Sequence, residues 1–237
     1  MIRRHRLATA ILAVVFVLVA VNVADRFGPR HTGLVVGPVV ALLLVVLARR
    51  AGLSWDELGM SRRNLAKGGA YAAAAVAVVA IAYAAATLLP ITRAAFLDVR
   101  YHLPAGRAMV SAFVVVPLGT VLLEEIAFRG VLLALVHRHR GMAWATVVSS
   151  VLFGLWHILP SLRLGRANAA MAASVGPGPH GQLLAILAAV AFTTLAGLIL
   201  CELRRRSGSL LAAAGLHWAT NGLGVVLATV MWASGTG

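Results

Sequence analysis

Seven stretches of the sequence are apolar over the length that a helix needs to cross a lipid bilayer, about 20 residues. They are residues 7–24, 33–48, 68–89, 109–128, 143–159, 183–203 and 209–232. Only 12% of the chain is charged and 61% is hydrophobic, with a mean hydropathy of +0.92, whereas a soluble domain carries about 25% charged residues. Because so few polar side chains cannot cover a surface exposed to water, the sequence predicts an all-α, polytopic membrane helix bundle with about seven transmembrane helices.

The net charge of +14 is spread in short clusters at the ends of the apolar runs. No nucleic-acid-binding motif accompanies these clusters. Basic residues at helix ends are typical of topology signals and of contacts with anionic lipid, so we expect the lipid bilayer as a partner and no nucleic acid. With a cytoplasmic N-terminus, 14 of the 21 Lys and Arg residues fall on the cytoplasmic side. The charge bias therefore favours that orientation, and the Ala-, Val- and Arg-rich composition favours a bacterial inner membrane.

We expect one domain, with N-terminal transmembrane helices and loops over residues 1–51 and a core over 52–237. The first span starts with basic residues and precedes a weak cleavage site. Its apolar run is longer than that of a signal peptide, so an uncleaved anchor is favoured. An eighth helix or a re-entrant segment in 90–108 would need an apolar run that the polar residues and prolines there interrupt. The basic segment Gly52–Lys67 is amphipathic, and we expect it to lie along the inner interface with Trp55 and Leu58 toward lipid.

The fourth apolar run contains three charged residues, Glu124, Glu125 and Arg129. A charge inside a bilayer costs about 2.5–3.5 kcal/mol on insertion scales, so these groups need partners or a water-filled cavity. Glu125 precedes Arg129 by four residues, the favoured order for an ion pair on a helix. Adjacent residues point about 100° apart, so Glu124 is then left facing a cavity, free to take a proton from water. The alternative is a helix end at the interface, where the charges are solvated.

The fifth and seventh runs each carry a polar pair at helical spacing. Phe153 and His157 are four residues apart, and so are His217 and Asn221. A single histidine on an apolar face is more often a satisfied core residue than a catalyst. However, buried polar groups in lipid find their partners on other helices, and three helices with polar groups at membrane depth favour a shared cavity. The sequence therefore predicts a catalytic cavity formed by helices 4, 5 and 7.

Together these residues resemble the three motifs of the CPBP family, which comprises the CAAX prenyl endopeptidases and the Abi bacteriocin-processing and immunity membrane proteins. The segment "DELGMSRRNL" is also similar to a Leu-Gly stretch that precedes the core of the family. The resemblance covers about residues 52–232. The matching motifs are Glu124-Glu125-x-x-x-Arg129, Phe153-x-x-x-His157 and His217-x-x-x-Asn221.

The resemblance implies an intramembrane endopeptidase that hydrolyses a peptide bond of a membrane-associated peptide or protein. Glu124 would be the general base that activates water, and His157 would position that water or share its proton. His217 and Asn221 would stabilise the oxyanion or orient the water. Glu125 completes the implied catalytic set, with Arg129 and Phe153 as structural support.

The resemblance leaves the cofactor open. Members of the family are commonly labelled metalloproteases, and Glu124, His157 and His217 are candidate ligands for a divalent metal such as zinc. The His-Glu-x-x-His pattern of soluble zinc proteases is absent from the sequence, so a metal-independent mechanism is the other alternative. The position of Glu124 near the inner end of its predicted span suggests a cavity that opens on the cytoplasmic side.

Two other classes of function remain as alternatives. A non-catalytic binding or immunity protein could use the same polar cavity to hold a lipid, a peptide or a protein. A proton-coupled transporter could use buried Glu, His and Asn side chains as a relay. The sequence lacks the interrupted helices and duplicated halves of many transporters, which disfavours the last alternative.

Overall fold

The computed structural model of the chain describes residues 2–29 and 32–235. Seven helices within these residues are long and apolar enough to cross a membrane. They are α1 (Leu7–Phe27), α2 (Thr32–Arg50), α3 (Arg62–Leu88), α4 (Ala105–Arg140), α5 (Met142–Ser161), α6 (Gly178–Ser207) and α7 (Leu210–Ala233). In the described part of the chain, the only β-type pairing is an isolated bridge between Asp98 and Asn168. All seven predicted spans are confirmed, and the chain is an all-α, polytopic membrane helix bundle.

Helix α4 is much longer than predicted. The sequence indicated an end near residue 128, but the helix continues to Arg140 and contains 36 residues. The prediction was wrong because it treated Arg129 as a group that must reach water. Arg129 is instead fully buried, and the four residues Leu133–Val136 that follow it are buried as well. Glu124 consequently lies near the middle of α4, about 24 Å along the axis from its C-terminal end at 1.5 Å per residue.

No eighth span lies in residues 90–108. The connection from α3 to α4 contains a one-turn helix at Pro90–Arg93 and two 3₁₀ turns at Ala94–Phe96 and Val99–Tyr101. The connection from α5 to α6 contains two further short helices, Leu164–Ala167 and Ala169–Val175. The side chain of Asn168 caps the second of these by accepting from the Met171 N–H, and it also donates to the Ala95 carbonyl. The two connections therefore pack on each other at one end of the bundle.

Small residues bring neighbouring helices into backbone contact. A Cβ atom at Gly37 of α2 would lie 3.2 Å from the Leu118 carbonyl oxygen of α4. At Gly154 of α5, a Cβ would lie 2.0 Å from the Thr194 hydroxyl oxygen of α6. Packing of this kind holds membrane helices together, because lipid gives them little hydrophobic driving force to associate. Helix α4 is thereby enclosed by its neighbours, and residues 125–136 form its fully buried stretch.

The Gly52–Lys67 segment folds differently from the prediction. Leu58 is completely buried, so its expected contact with lipid is wrong, whereas Trp55 is half exposed and stacks on Arg49. Leu58 faces inward because the segment forms turns rather than a helix lying on the interface. It joins the same apolar cluster as the buried residues of α4.

Polar contacts fix this segment to helices α4 and α6. Ser54 and Glu57 form a reciprocal capping box, with the Ser54 N–H donating to Glu57 and the Glu57 N–H to Ser54. Arg138 at the end of α4 pairs with the Glu57 carboxylate, and Arg204 of α6 donates to the carbonyls of Asp56 and Glu57. The hydrogen bonds from Arg138 lower the pKa of the Glu57 carboxyl from its ordinary 4.5 to about 2.

Candidate active site

Helix α4 places two adjacent carboxylates in the interior of the bundle. Glu124 and Glu125 are 5% and 2% exposed, and Arg129 is 0% exposed. The predicted pair is present, with 3.1 Å between the Arg129 Nη1 and Glu125 Oε1 atoms. The guanidinium of Arg129 also lies 3.9 Å from the centre of the Phe153 ring of α5. Phe153 therefore covers the buried cation, which is the supporting position that the sequence suggested for it.

The backbone of α4 is unusually wide around the carboxylates. Residues Glu125–Leu132 are π-helical, and so are Ser111–Val115 and Pro117–Val121. Turns of this kind are rare and are often found at functional sites. Helix α7 has one as well, at Ala219–Leu223, two residues after His217.

The two oxygens of Glu124 have different surroundings. Oε1 accepts a hydrogen bond of 2.9 Å from the indole N–H of Trp156. Oε2 is buried without a hydrogen-bond partner among the described residues, and it lies 3.7 Å from Nε2 of His217. Oε1 is thus held by a hydrogen bond, whereas Oε2 has no hydrogen-bond partner among the described residues and lies close to His217.

The contact of the other ring nitrogen of His217, Nδ1, indicates which nitrogen carries a proton. Nδ1 lies 2.7 Å from Oε1 of Glu125, the carboxylate that also pairs with Arg129. A carboxylate accepts hydrogen bonds, so Nδ1 carries a proton. In the neutral form of the ring, Nε2 is an acceptor. Nε2 and the free oxygen of Glu124 are then two acceptors 3.7 Å apart. A water molecule that donates one hydrogen to each group satisfies both.

His157 reaches the same region from α5. Its Nδ1 lies 2.8 Å from the Phe153 carbonyl, so Nδ1–H donates there and Nε2 is left for the cavity. The Phe153 ring contacts both histidines edge-on, with centroids 4.7 Å from His157 and 5.7 Å from His217. His157 makes no direct hydrogen bond to Glu124 or His217 within the described structure, but it lines the same cavity as Glu124.

Asn221 makes no hydrogen bond to this cluster of described residues. It lies in the π-helical turn of α7, one turn beyond His217, and is half buried. No hydrogen bond joins its side chain to the four described motif residues Glu124, Glu125, His157 and His217.

A cavity of about 320 Å³ adjoins Glu124. The sequence predicted walls from helices 4, 5 and 7, but the lining residues come from α1, α2, α4 and α5. Helix α7 contributes no residue to this lining, but Nε2 of its His217 lies 3.7 Å from Oε2 of Glu124. Helix α1 contributes Asn22 and Asp25, which sequence reasoning missed because polar residues at the end of an apolar run usually mark the interface. Their three-residue spacing, which places both on one helix face, was the available signal.

The cavity lies at the opposite end of the bundle from the one expected. Its lining extends to Asp25 and Arg26 at the end of α1 and to Gly33 at the start of α2. The connection between α1 and α2 is on the other side of the membrane from the start of α1. A cytoplasmic N-terminus and a cytoplasmic opening therefore exclude each other in this structure. The expected opening was wrong for that orientation, because it rested on an α4 that ends near residue 128.

The residues at the cavity do not complete a metal site. Glu124 and His217 offer two donor atoms that face each other, and a third ligand is needed for zinc. Within residues 2–29 and 32–235, no three His, Cys, Asp or Glu side chains are close enough to hold one ion. We therefore derive no chemical step through a metal.

A comparison with protein families matches the part of the chain that contains these motif residues. The family model described as Type II CAAX prenyl endopeptidase Rce1-like matches residues 106–223. This range runs from the start of α4 into α7, covers about half of the chain and includes all three motifs. No curated protein matches the chain, and no solved structure does. Motifs, membrane fold and family match agree, and the chain belongs to the CPBP family of membrane-embedded CAAX-type endopeptidases.

Proposed function

We propose that this protein hydrolyses a peptide bond in a membrane-associated peptide or protein, using a water molecule activated by Glu124. The observation that carries the proposal is the free Oε2 of Glu124, buried and 3.7 Å from Nε2 of His217. Two acceptors at this separation can each accept one hydrogen from the same water, which leaves the lone pairs of its oxygen free for attack.

The reaction follows from this arrangement. Glu124 takes a proton from the water as its oxygen adds to the carbonyl carbon of the substrate. His217 orients the water through Nε2, and Glu125 with Arg129 keeps the ring in the required tautomer. When the C–N bond breaks, Glu124 returns the proton to the leaving amine.

We assign His157 to the oxygen of the scissile carbonyl. His157 lines the cavity and its Nδ1 is engaged by the Phe153 carbonyl, so Nε2 of the protonated ring can donate to the developing oxyanion. Asn221 has no step in this mechanism, because the structure leaves it outside the cluster.

The test uses the purified protein in proteoliposomes. The probe is a C-terminally prenylated CAAX peptide, the substrate class named by the matched family. Glu124→Gln is expected to lower turnover by about 10²–10⁴-fold, the usual range for loss of a general base. The matched control is Glu202→Gln, because Glu202 is an exposed acid paired with Arg205 and Arg206, far from the cavity. Undiminished turnover by Glu124→Gln would end the assignment.

The natural substrate is sought in membranes rather than with a probe. Membrane proteomes of cells that carry the native chain and of cells that carry Glu124→Gln are compared for peptides that change. We expect a small set of membrane-tethered substrates to accumulate uncut in the variant. Identical proteomes, together with an uncleaved probe, would favour a binding protein over a peptidase.

A third experiment concerns the metal. The mechanism predicts less than one equivalent of bound zinc and turnover that resists a chelator, because no three His, Cys, Asp or Glu side chains of the described residues are close enough to hold one ion. Elemental analysis of the active preparation and a chelator titration measure both. Stoichiometric zinc with chelator-sensitive activity would overturn the metal-independent step.

A further inference from the structure

Trp156 connects the catalytic carboxylate to helix α1. Its indole N–H donates 2.9 Å to Oε1 of Glu124, and its own carbonyl accepts a 2.6 Å bond from the side-chain amide of Asn22. The three residues lie on α4, α5 and α1, and all three line the cavity. We propose that Trp156 is a positioning residue for Glu124 and that Asn22 holds Trp156 in place from α1. The proposal rests on the proposed role of Glu124.

A glutamate carboxylate needs such a partner to act as a directed base. The terminal torsion of Glu is broad, so burial alone does not decide which oxygen faces the water. The indole nitrogen is only a donor, and it engages one oxygen of Glu124. The other oxygen is then left toward His217. Removal of the indole N–H allows the carboxylate to rotate, and the distance to His217 is no longer fixed.

Two further contacts fix the orientation of the Trp156 side chain. The Trp156 ring meets the Phe128 ring of α4 edge-on, with 5.9 Å between centroids and an interplanar angle of 74°. Trp156 is also the last residue of the regular part of α5, where carbonyls lack partners within the helix. Asn22 supplies the partner for the Trp156 carbonyl. Helix α1 thereby contributes to the site although it lies outside the matched residues 106–223.

The chain offers a matched comparison in Trp218. This tryptophan also neighbours a motif histidine, His217, and its indole N–H donates 2.9 Å to a backbone carbonyl, that of Ala112 in α4. Trp218→Phe and Trp156→Phe thus remove the same group from equivalent hydrogen bonds between helices. Only Trp156→Phe releases the carboxylate.

The first experiment needs no substrate. The protein contains five tryptophans, so ¹⁵N-indole labelling in detergent gives a spectrum with few signals. Trp156→Phe and Trp218→Phe assign their two signals by disappearance. Glu124→Ala is expected to move the Trp156 indole proton upfield, because its hydrogen bond to a carboxylate is lost, and to leave the Trp218 signal unchanged. An unmoved Trp156 signal would overturn the contact.

The second experiment separates positioning from structural support. With the prenylated peptide in proteoliposomes, Trp156→Phe is expected to lower kcat by about 10- to 100-fold with little change in KM, the scale of one hydrogen bond to a charged group. Asn22→Ala is expected to lower kcat less, and the Asn22→Ala/Trp156→Phe double variant no further than Trp156→Phe alone. Trp218→Phe is expected to keep the wild-type kcat.

The outcomes distinguish the two proposals. Equal turnover by the native chain and Glu124→Gln would overturn the proposed function, and the indole spectrum still decides the hydrogen bond. Loss of turnover in Glu124→Gln together with a wild-type kcat in Trp156→Phe would overturn the positioning role alone. Equal losses of kcat in Trp156→Phe and Trp218→Phe would also overturn it, since a general loss of packing would then explain both.

Discussion

Glu125 shows how single residues at this site depend on one another. Its carboxylate accepts from His217 and pairs with Arg129, and all three side chains are buried. The sequence predicted the Glu125–Arg129 pair from its spacing within one helix. The contact with His217 joins residues 92 positions apart, and no local pattern gives that separation. Asn221 illustrates the reverse case, because its spacing from His217 suggested a shared role, but no hydrogen bond joins its side chain to the described residues Glu124, Glu125, His157 and His217.

Arg129→Leu tests the buried pair. The substitution leaves the Glu125 carboxylate buried without its cation, which should lower the free energy of unfolding by about 3–5 kcal/mol. Denaturant unfolding in detergent measures the change. The matched control is Arg206→Leu in the exposed pair with Glu202, where no measurable change is expected because solvent screens the pair. A wild-type midpoint for Arg129→Leu would show that the pair adds no stability.

Element by element, the sequence was most informative about where the spans lie and least informative about where they end. All seven spans were found because apolar length is a local property of the chain. The end of α4 was not predicted, because Arg129 pairs with Glu125 and is covered by Phe153 of α5. The local sequence around Arg129 does not indicate a partner on another helix. The same reason applies to Leu58, whose burial depends on a turn that α4 and α6 hold in place.

Gly154→Ala tests the contact between α5 and α6. The added Cβ would lie 2.0 Å from the Thr194 hydroxyl oxygen and 2.8 Å from the Val190 carbonyl oxygen, so the helices must separate. We expect a loss of about 1–3 kcal/mol in the free energy of unfolding, as for other overpacked sites. Gly106→Ala in the first turn of α4 is the control, because its Cβ meets nothing within 4 Å. Similar unfolding of both variants would contradict the close approach.

The Ser54–Glu57 segment gives a prediction about pH. Because the folded-state pKa of Glu57 is lowered to about 2 from 4.5, its contribution to stability is complete above about pH 4.5 and is lost as the pH falls toward 2. The melting temperature of the native chain should therefore fall more steeply between pH 5 and pH 3 than that of Glu57→Gln. Parallel curves for the two proteins would show that Arg138 does not stabilise the segment through this carboxylate.

For the whole molecule, the orientation in the membrane decides where the cavity opens. Thr32 lies beside the cavity mouth and Arg140 at the far end of α4, on opposite sides of the bundle. In a Cys201→Ala background, a membrane-impermeant reagent applied to intact cells should label Thr32→Cys and spare Arg140→Cys, as the basic clusters predict. The reverse pattern would place the N-terminus outside and the cavity inside. Labelling of both from one side would contradict the seven-span fold.

The size of the cavity limits what can be cut. Its volume of about 320 Å³ equals that of roughly ten molecules of liquid water. Only a short stretch of extended chain fits beside Glu124, so any folded part of a substrate stays outside. The cleaved bond would then lie at a fixed distance from the point where the substrate is anchored. Cleavage would depend on that distance more than on the amino-acid sequence of the substrate.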